Sequence, residues 1–371
     1  MSVTIAQQRL RTDFNSRQVP EPYELVFSKE LFARVRKYLD ELSRGLIKAG
    51  ELLECRLNGS SISKLTELEF IRALLATKVP LIFAESAVSG DGSDWTLDEL
   101  SMLGDIGIVS RVKVFDNGLH AQPIVHSTPL DATLMFIPGA LLRSAGGVAA
   151  DWDEVTQDGD INPVAYRALY ERRLLPLLLH ADCMCAKTGR QAFVTIPGLG
   201  CGQFAGPFRG ILGSYLRDAI VQLLSNYHSE LPNIRAVYFD PYSQCENERL
   251  QLGSISVLVR PLTQGNHPKG QLCHPVQYEE SGDDFSGCDL FSVVAWDHVS
   301  WPGNDFYGGS RATDDGVKAA ASSIMRCMTG HEGGYDTVSH CYLPPDGFHT
   351  WEDLVFKNKL LFGQSAEYFE Y

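Results

Sequence analysis

Hydrophobic positions in the first third of the chain recur with the period of amphipathic helices. Apolar residues fall three or four positions apart over 32–46 and again over 65–76, which places them on one face of a helix. A third helix is expected over 96–103, where a threonine followed three residues later by a glutamate matches a capping box. We therefore predict a mostly helical layer over residues 20–104, preceded by a loose, polar terminus at 1–19.

From about residue 106 onward, short apolar runs alternate with longer stretches of helical period. The predicted strands are Ile108–Phe115, Leu134–Ile137, Ala192–Ile196, Ala236–Phe239, Ile255–Val259 and Leu290–Ala295. The predicted helices are Val164–His180, Ile211–Tyr227, Gly316–Met328 and Trp351–Leu361. Strands that alternate with helices indicate a mostly parallel sheet with helices on both of its faces. We therefore predict an α/β fold for residues 105–371.

Ligands of such sheets bind beyond the carboxyl ends of the strands, and two segments at strand ends have an unusual composition. The first is Thr195–Gly206, which contains four glycines between a predicted strand and a predicted helix. Glycines let backbone N–H groups approach a ligand closely, and such a nest at a helix amino terminus suits a phosphate. The segment is neither a Walker loop nor a Rossmann fingerprint. A tight turn without a ligand is the alternative interpretation.

The second segment is Val293–Asp315, which follows a buried strand and precedes a helix. Its carboxylates are Asp297, Asp305, Asp314 and Asp315, with aromatic residues between them. Carboxylates at one strand end can stabilise a positive transition state, accept a proton or hold a cation. A structural interpretation is also open for two of them, since Asp314 could cap the following helix and Asp305 could form an Asx turn.

Composition narrows the classes of function. Lys and Arg number 32 against 46 Asp and Glu, which gives a net charge of −14. This acidity argues against non-specific nucleic-acid binding and against an anionic membrane surface. The longest apolar runs, such as Leu174–Leu179, are too short to span a bilayer. The residues at 1–17 lack the apolar stretch of a signal peptide.

The nine cysteines are scattered without the spacing of a disulfide framework, which favours free thiols and a reducing, cytoplasmic-type compartment. Cys183 and Cys185 have no second ligand pair at zinc-finger spacing, so we expect no metal. We also expect no cofactor. Cys201 in the glycine segment could serve as a nucleophile, but a small residue chosen for fit is the preferred interpretation.

Together the two segments resemble the ligand loops of macrodomains. In that family one Pro–Gly-rich loop wraps the diphosphate and distal ribose of ADP-ribose, and a second loop encloses the ribose with the scissile bond. Because the second loop comes late here, the order is permuted relative to a plain macrodomain. The closer resemblance is to MavL-type bacterial effectors, which remove ADP-ribose from arginine of ubiquitin. Their aspartate set is similar in spacing to Asp297, Asp305 and Asp315.

The sequence differs from known macrodomains at two places, and these differences narrow the expected activity. The Asn-Ala-Ala-Asn of ordinary macrodomains is replaced by Ala295–His298, and the glutamate pair of poly(ADP-ribose) glycohydrolases is missing near Gly308-Gly309. Cleavage of long polymers is therefore not expected. An aspartate-lined pocket suits a cationic guanidinium leaving group, in agreement with an arginine linkage.

The resemblance implies a macrodomain-like fold over 105–371 and a hydrolase of ADP-ribosylated arginine in a protein, with ubiquitin the expected one. Asp297 and Asp305 would face the guanidinium and ribose hydroxyls, and Asp315 would position or activate water, with Asp314 as its substitute. The residues expected to bind substrate are Gly198, Leu199, Gly200, Cys201, Gly202, Gln203, Phe204, Trp301, Phe306, Tyr307, Gly308, Gly309, Ser310 and Asp314. The strand-end segment 240–242 is a candidate for the adenine side.

Two other classes of function remain open from the residues. One is a non-catalytic ADP-ribose reader, although four loop carboxylates near a diphosphate are unfavourable unless they are used. The other is a phosphohydrolase in which Asp297, Asp305 and Asp315 bind Mg²⁺. The helical layer could recognise a protein substrate or simply cover the sheet. Delivery into a host cell is implied by the resemblance alone.

Overall fold

The computed structural model describes residues 23–58, 62–82, 94–143, 149–267, 269–304, 306–307, 310–311, 313–363 and 366–371. The predicted loose terminus at 1–19 lies outside these residues. The helices are α1 Lys29–Ser43, α2 Glu51–Leu57, α3 Glu67–Leu75, α4 Leu97–Gly104, α5 Trp152–Val155, α6 Pro163–Thr188, α7 Leu212–Tyr227, α8 Asp314–Ala320, α9 Ile324–Thr329 and α10 Trp351–Asn358. The strands are β1 Glu24–Phe27, β2 Gly107–Asp116, β3 Val125–Pro138, β4 Thr156–Gln157, β5 Asp160–Ile161, β6 Gln191–Pro197, β7 Ile234–Asp240, β8 Glu248–Leu252, β9 Ile255–Val259, β10 Cys288–Trp296, β11 Phe306–Tyr307, β12 Ser310–Arg311, β13 Gly334–Asp336, β14 Cys341–Leu343 and β15 Glu367–Glu370.

Nine strands form one mixed sheet in the order β15-β1-β2-β3-β10-β6-β7-β9-β8. Its five central strands, from β3 to β9 in this order, run parallel to one another. The late strand β10 is inserted between β3 and β6. The segment after β10 therefore emerges beside the segment after β6, which is what the permuted order requires. The predicted α/β class with a mostly parallel sheet is confirmed.

Each face of the sheet carries its own hydrophobic core. In β3, Leu134 and Phe136 pack with helices α1 to α4, α9 and α10, whereas Met135 and Ile137 pack with α6 and α7. This alternation follows from the two-residue period of a strand. Because both faces are covered, the central strands are buried along their length, as in the uniformly buried β9. Among the described residues, no helix combines the length and apolarity needed to cross a membrane.

The helical layer contains a strand that the hydrophobic pattern did not predict. β1 has only four residues, and it pairs with β2 and with β15 near the chain's last residue. The capping box at the start of α4 is confirmed, with Thr96 accepting from the backbone N–H of Glu99. In the described residues this stretch contains helices α1 to α4, and its first strand extends the main sheet.

The helix predicted over 316–328 is wrong as a single element, because the structure divides it into α8 and α9. Between them, the carbonyl of Ala321 accepts from the N–H of Phe115, and the N–H of Ser323 donates to the carbonyl of Lys113. These backbone groups bond to β2 instead of continuing the helix. A local hydrophobic period carries no information about such a distant partner.

Candidate functional site

A cleft of about 570 Å³ lies at the carboxyl ends of the central parallel strands. Both predicted ligand segments line it. The glycine segment contributes Gly198, Gly200, Cys201, Gly202, Gln203 and Phe204, and the aspartate segment contributes Ala295, Trp296, Asp297, Asn304, Thr313, Asp314 and Asp315. The insertion of β10 beside β6 is what brings the two segments together.

The glycine segment is fixed against the end of β3. Gly200 has a left-handed φ of 72°, which glycine adopts without strain. A Cβ on Gly139 would lie 2.1 Å from the Gly200 nitrogen, so the two backbones need glycine to pack. The Tyr170 hydroxyl donates to the carbonyl of Leu199 at 2.7 Å and accepts from the N–H of Ala140 at 3.0 Å. The loop is therefore held rigidly before any ligand binds.

The open part of this loop presents backbone donors. In the described part of the chain, the N–H groups of Gly202, Gln203 and Phe204 have no hydrogen-bond acceptor. A Cβ on Gly202 would meet nothing within 4 Å. Successive unpaired N–H groups form an anion-binding nest. The predicted helix amino terminus does not contribute, because a 3₁₀ turn separates the loop from α7, which begins at Leu212.

Cys201 does not have the properties of a nucleophile. Its side chain is buried, and burial raises the pKa of the thiol to about 12. Since the thiolate is the reactive form, this cysteine is better explained by its fit beneath the loop. Leu199, predicted to bind substrate, lies with its side chain in the core and does not line the cleft.

Asp297 is 5% exposed and has its acceptor positions filled. One carboxylate oxygen accepts from the N–H groups of Val299 and Ser300, both at 2.7 Å. The other accepts from the Ser300 hydroxyl and from Nδ2 of Asn304 at 2.7 Å. These bonds fix the carboxylate in the first turn after β10, where it lines the cleft.

Asp315 lies in the first turn of α8 and faces the same loop. Its two oxygens accept from the backbone N–H groups of Gly303 at 2.9 Å and Asn304 at 3.0 Å. Burial raises the pKa of this carboxyl well above its usual range, and the nearby charge of Asp297 acts in the same direction. A carboxyl group with a raised pKa is a stronger base and suits proton transfer near neutral pH.

Asp314 does not cap α8, because Thr313 occupies the cap position and accepts from the N–H of Gly316. One oxygen of Asp314 accepts from the N–H of Ala295 at 2.9 Å, and the other lies 3.0 Å from Nζ of Lys318. The Lys318 ammonium is buried, which lowers its pKa. Asp314 therefore has an ammonium group at ion-pair distance, and among the described residues Asp315 has none.

Trp301 was predicted to line the ligand pocket, and the structure places it elsewhere. Its ring is 2% exposed and packs edge-on against Phe362, with centroids 5.2 Å apart. The backbone of the hairpin β11–β12 carries the predicted residues Phe306, Tyr307 and Ser310, whose side chains lie outside the described residues. Asp305, Gly308 and Gly309 also lie outside them.

Tyr242, at the adenine-side candidate segment, stands at the cleft's rim with 62% of its surface exposed. Its φ of 60° is left-handed, which is unusual for a bulky residue. Its N–H donates to Asp240 and its carbonyl accepts from the hydroxyl and N–H of Thr263. Such a conformation persists only when surrounding bonds enforce it, and it is typical of ligand sites.

Lys78 is bonded to the aspartate segment from behind α3, and sequence reasoning missed it. It is 4% exposed, and its Nζ donates to the carbonyl of His298 at 2.6 Å. Burial lowers the pKa of this ammonium to about 7, while the carboxylates of Asp297 and Asp315 act to raise it. The available signal was weak: a single lysine between the apolar end of a helix and Pro80.

No metal-ligand cluster is found in the described ranges: no three His, Cys, Asp or Glu side chains there converge as ligands. Asp305 lies outside these ranges, so the three-aspartate Mg²⁺ set considered from the sequence includes one carboxylate whose position is undescribed. Within the ranges, the neighbours of Asp297, Asp314 and Asp315 are hydrogen-bond donors and an ammonium group.

Comparison with known proteins agrees with this architecture. A family model described as macrodomain effector MavL matches residues 23–348, which contain both cleft loops and every strand of the sheet except β15. A search of curated proteins found no match. The family match confirms the resemblance drawn from the two loops and carries with it an ADP-ribose-related macrodomain function. The chain thus belongs to the MavL family of macrodomain effectors.

Proposed function

We propose that the protein is a hydrolase that removes ADP-ribose from an arginine side chain of a modified protein substrate. We propose further that this substrate is ubiquitin. The observation that carries the proposal is the meeting, in one cleft, of a rigid loop of unpaired N–H groups and a group of buried aspartates. The first suits an anionic diphosphate. The second suits a cationic guanidinium and a positive transition state.

In this proposal the diphosphate lies on the N–H groups of Gly202, Gln203 and Phe204. The exposed ring of Tyr242 forms the adenine-side wall, where a base can stack on it. The ribose bearing the arginine then extends toward Asp297 and Asp315. This direction places the negative carboxylates at the cationic end of the substrate.

The chemical step is cleavage of the bond between ribose C1″ and the guanidinium nitrogen. The nitrogen leaves with the bonding electron pair, and positive charge develops on the ribose, where Asp297 stabilises it by charge. Water adds to C1″ and gives its proton to Asp315, whose raised pKa makes it the stronger base. Asp315 then releases this proton through solvent to the departing guanidine nitrogen, which restores the Asp315 carboxylate, and the products are ADP-ribose and the arginine guanidinium.

The division of roles follows from the hydrogen bonds. Asp297 accepts from Val299, twice from Ser300, and from Asn304, so it acts by charge. Asp315 accepts two backbone N–H groups and can still take a proton. Asp305 is proposed, from the family resemblance, to contact the guanidinium or the ribose hydroxyls.

A reader without catalysis is less favoured by the electrostatics. Buried carboxylates repel an anionic ligand and cost stability when unpaired. Asp315 has no ammonium or guanidinium group bonded to it among the described residues. The presence of Asp315 in an ADP-ribose cleft is explained if it accepts a proton from water. Membership of an effector family further supports delivery into a host cell.

The decisive experiment incubates the protein with arginine-ADP-ribosylated ubiquitin, with and without EDTA, and follows the modification by mass spectrometry. We expect release of intact ADP-ribose, restored arginine and no effect of EDTA. The variant D315N tests the proposed role of Asp315 as the base. The variant D346N changes an exposed aspartate and serves as its matched control. Binding of ADP-ribose without release would favour a reader, and release abolished by EDTA would favour a metal-dependent enzyme.

A further inference from the structure

The segment that follows α3 in the helical layer is hydrogen-bonded to the loop that carries Asp297. The N–H of Val79 donates to the carbonyl of Val299 at 2.7 Å, and the N–H of Trp301 donates to the carbonyl of Val79 at 3.0 Å. Val79 thereby forms a parallel bridge with Ser300. The catalytic loop is thus held from outside the parallel sheet by a segment more than two hundred positions earlier in the chain.

Lys78 directly precedes this bridge, and its side chain contacts the residues on both sides of Asp297. Its Nζ bonds the carbonyl of His298 at 2.6 Å and lies 3.8 Å from the ring centroid of Trp296, the last residue of β10. These contacts flank Asp297 in sequence on both sides. A buried ammonium over an aromatic face is stabilised by the ring's quadrupole, so the position of the charge is well defined.

The charge neighbours of Lys78 are the site carboxylates. Asp297 and Asp315 act on the ammonium as opposite charges, and the His298 ring also interacts with it. The two carboxylates come from different elements, the β10 end and α8, whereas Lys78 comes from the helical layer. Lys78 does not line the cleft. A buried positive charge that interacts with two buried carboxylates offsets part of the cost of keeping them charged.

We infer that Lys78 is a positioning residue of the active centre: its ammonium balances the charge of Asp297 and Asp315, and its segment fixes the loop between them. The helical layer is then a component of the catalytic site as well as a cover for the sheet. The effect on turnover rests on the proposed hydrolase activity. The effect on the carboxyl groups does not, and it can be measured separately.

The expected change has a defined sign. Without the ammonium, the pKa of the Asp315 carboxyl rises further, because a stabilising opposite charge is lost. The basic form of Asp315 is then reached only at higher pH. In the unmodified protein, Lys78 itself loses its charge as pH rises through about 7, whereas an arginine at this position stays charged.

The experiment compares K78M, K78R and K64M, the last an exposed lysine of the same layer. For each, the pH profile of kcat/KM on ADP-ribosylated ubiquitin is measured together with the melting temperature. Carboxyl carbon titrations of protein labelled at aspartate provide a readout without substrate, with the Asp315 signal identified from its loss in D315N.

We expect K78M to fold, to lose about tenfold at pH 7 and to regain activity at higher pH, with its acid limb displaced upward by about one unit. K78R should keep the acid limb and sustain activity above pH 7, and K64M should match the unmodified protein. A K78M profile of unchanged shape with an unmoved Asp315 titration would overturn the inference. If K78M fails to fold, a K78R alkaline limb identical to the unmodified one would overturn it. If the unmodified protein shows no turnover, the proposed function fails, and the Asp315 titration alone decides the role of Lys78.

Discussion

The two walls of the cleft are built in opposite ways. The glycine wall offers backbone N–H groups from the consecutive residues Gly202, Gln203 and Phe204. The aspartate wall offers charged side chains, and two of them are held by groups well separated in sequence: the N–H of Ala295 for Asp314, and the N–H groups of Gly303 and Asn304 for Asp315. In the proposed function, recognition of the diphosphate is thus a local property of one loop. In the same proposal, control of the reaction depends on tertiary contacts.

This difference between the walls predicts that a substitution in the aspartate wall lowers turnover and leaves the affinity for ADP-ribose unchanged. We expect D315N to lower turnover by about 10³-fold or more, because the amide can neither accept the proton of water nor carry charge. ADP-ribose affinity should be retained. Single-turnover assays and calorimetric titration measure the two quantities, with D346N as the exposed control. A D315N enzyme that turns over normally would exclude Asp315 as the base.

A substitution in the glycine wall should have the opposite effect and weaken the binding of ADP-ribose. We expect G202V to weaken ADP-ribose binding by about 10- to 100-fold, because a side chain in that open space blocks the neighbouring N–H groups. The fold should tolerate it, since a Cβ at this position meets no atom within 4 Å. The control is G287V, at an equally open position that does not line the cleft. Unchanged affinity for ADP-ribose in G202V would contradict the nest.

The same contrast explains what the sequence could predict. Thr195–Gly206 was recognised because its composition is a property of consecutive residues, and the strands of the mostly parallel sheet were predicted from local periods. The contribution of Lys78 depends on a bridge between Val79 and Ser300 that no local pattern contains. Trp301 was misassigned because an aromatic residue in a polar loop has the same composition whether it faces a ligand or Phe362. The position of Asp305 stays a prediction.

A smaller effect is expected at the rim. We predict that Y242A lowers ADP-ribose affinity by about three- to tenfold, the loss of one stacking contact worth roughly 1 kcal/mol. F356A removes an equally exposed ring that does not line the cleft and should leave affinity unchanged. Fluorescence titration with ADP-ribose distinguishes the two. If Y242A binds as tightly as the unmodified protein, the adenine lies elsewhere and Tyr242 serves another part of the substrate.

The smallest expected effect concerns thermal stability. It tests whether the buried charge of Asp315 lowers the free energy of unfolding. The pKa of Asp315 is raised in the folded protein, so its contribution to stability is fully present below the pKa of an unfolded aspartate, about 4. That contribution is lost as pH rises toward the folded value, because the folded state then resists releasing the proton. D315N has no such proton. We therefore expect D315N and the unmodified protein to melt alike near pH 4, and D315N to melt at a temperature higher by roughly 2 °C or more at pH 8.

Melting curves at the two pH values provide the measurement, with D346N as the reference. A D315N variant that is less stable at pH 8 would mean that Asp315 stabilises the loop more through its bonds to Gly303 and Asn304 than it destabilises the fold through its buried charge.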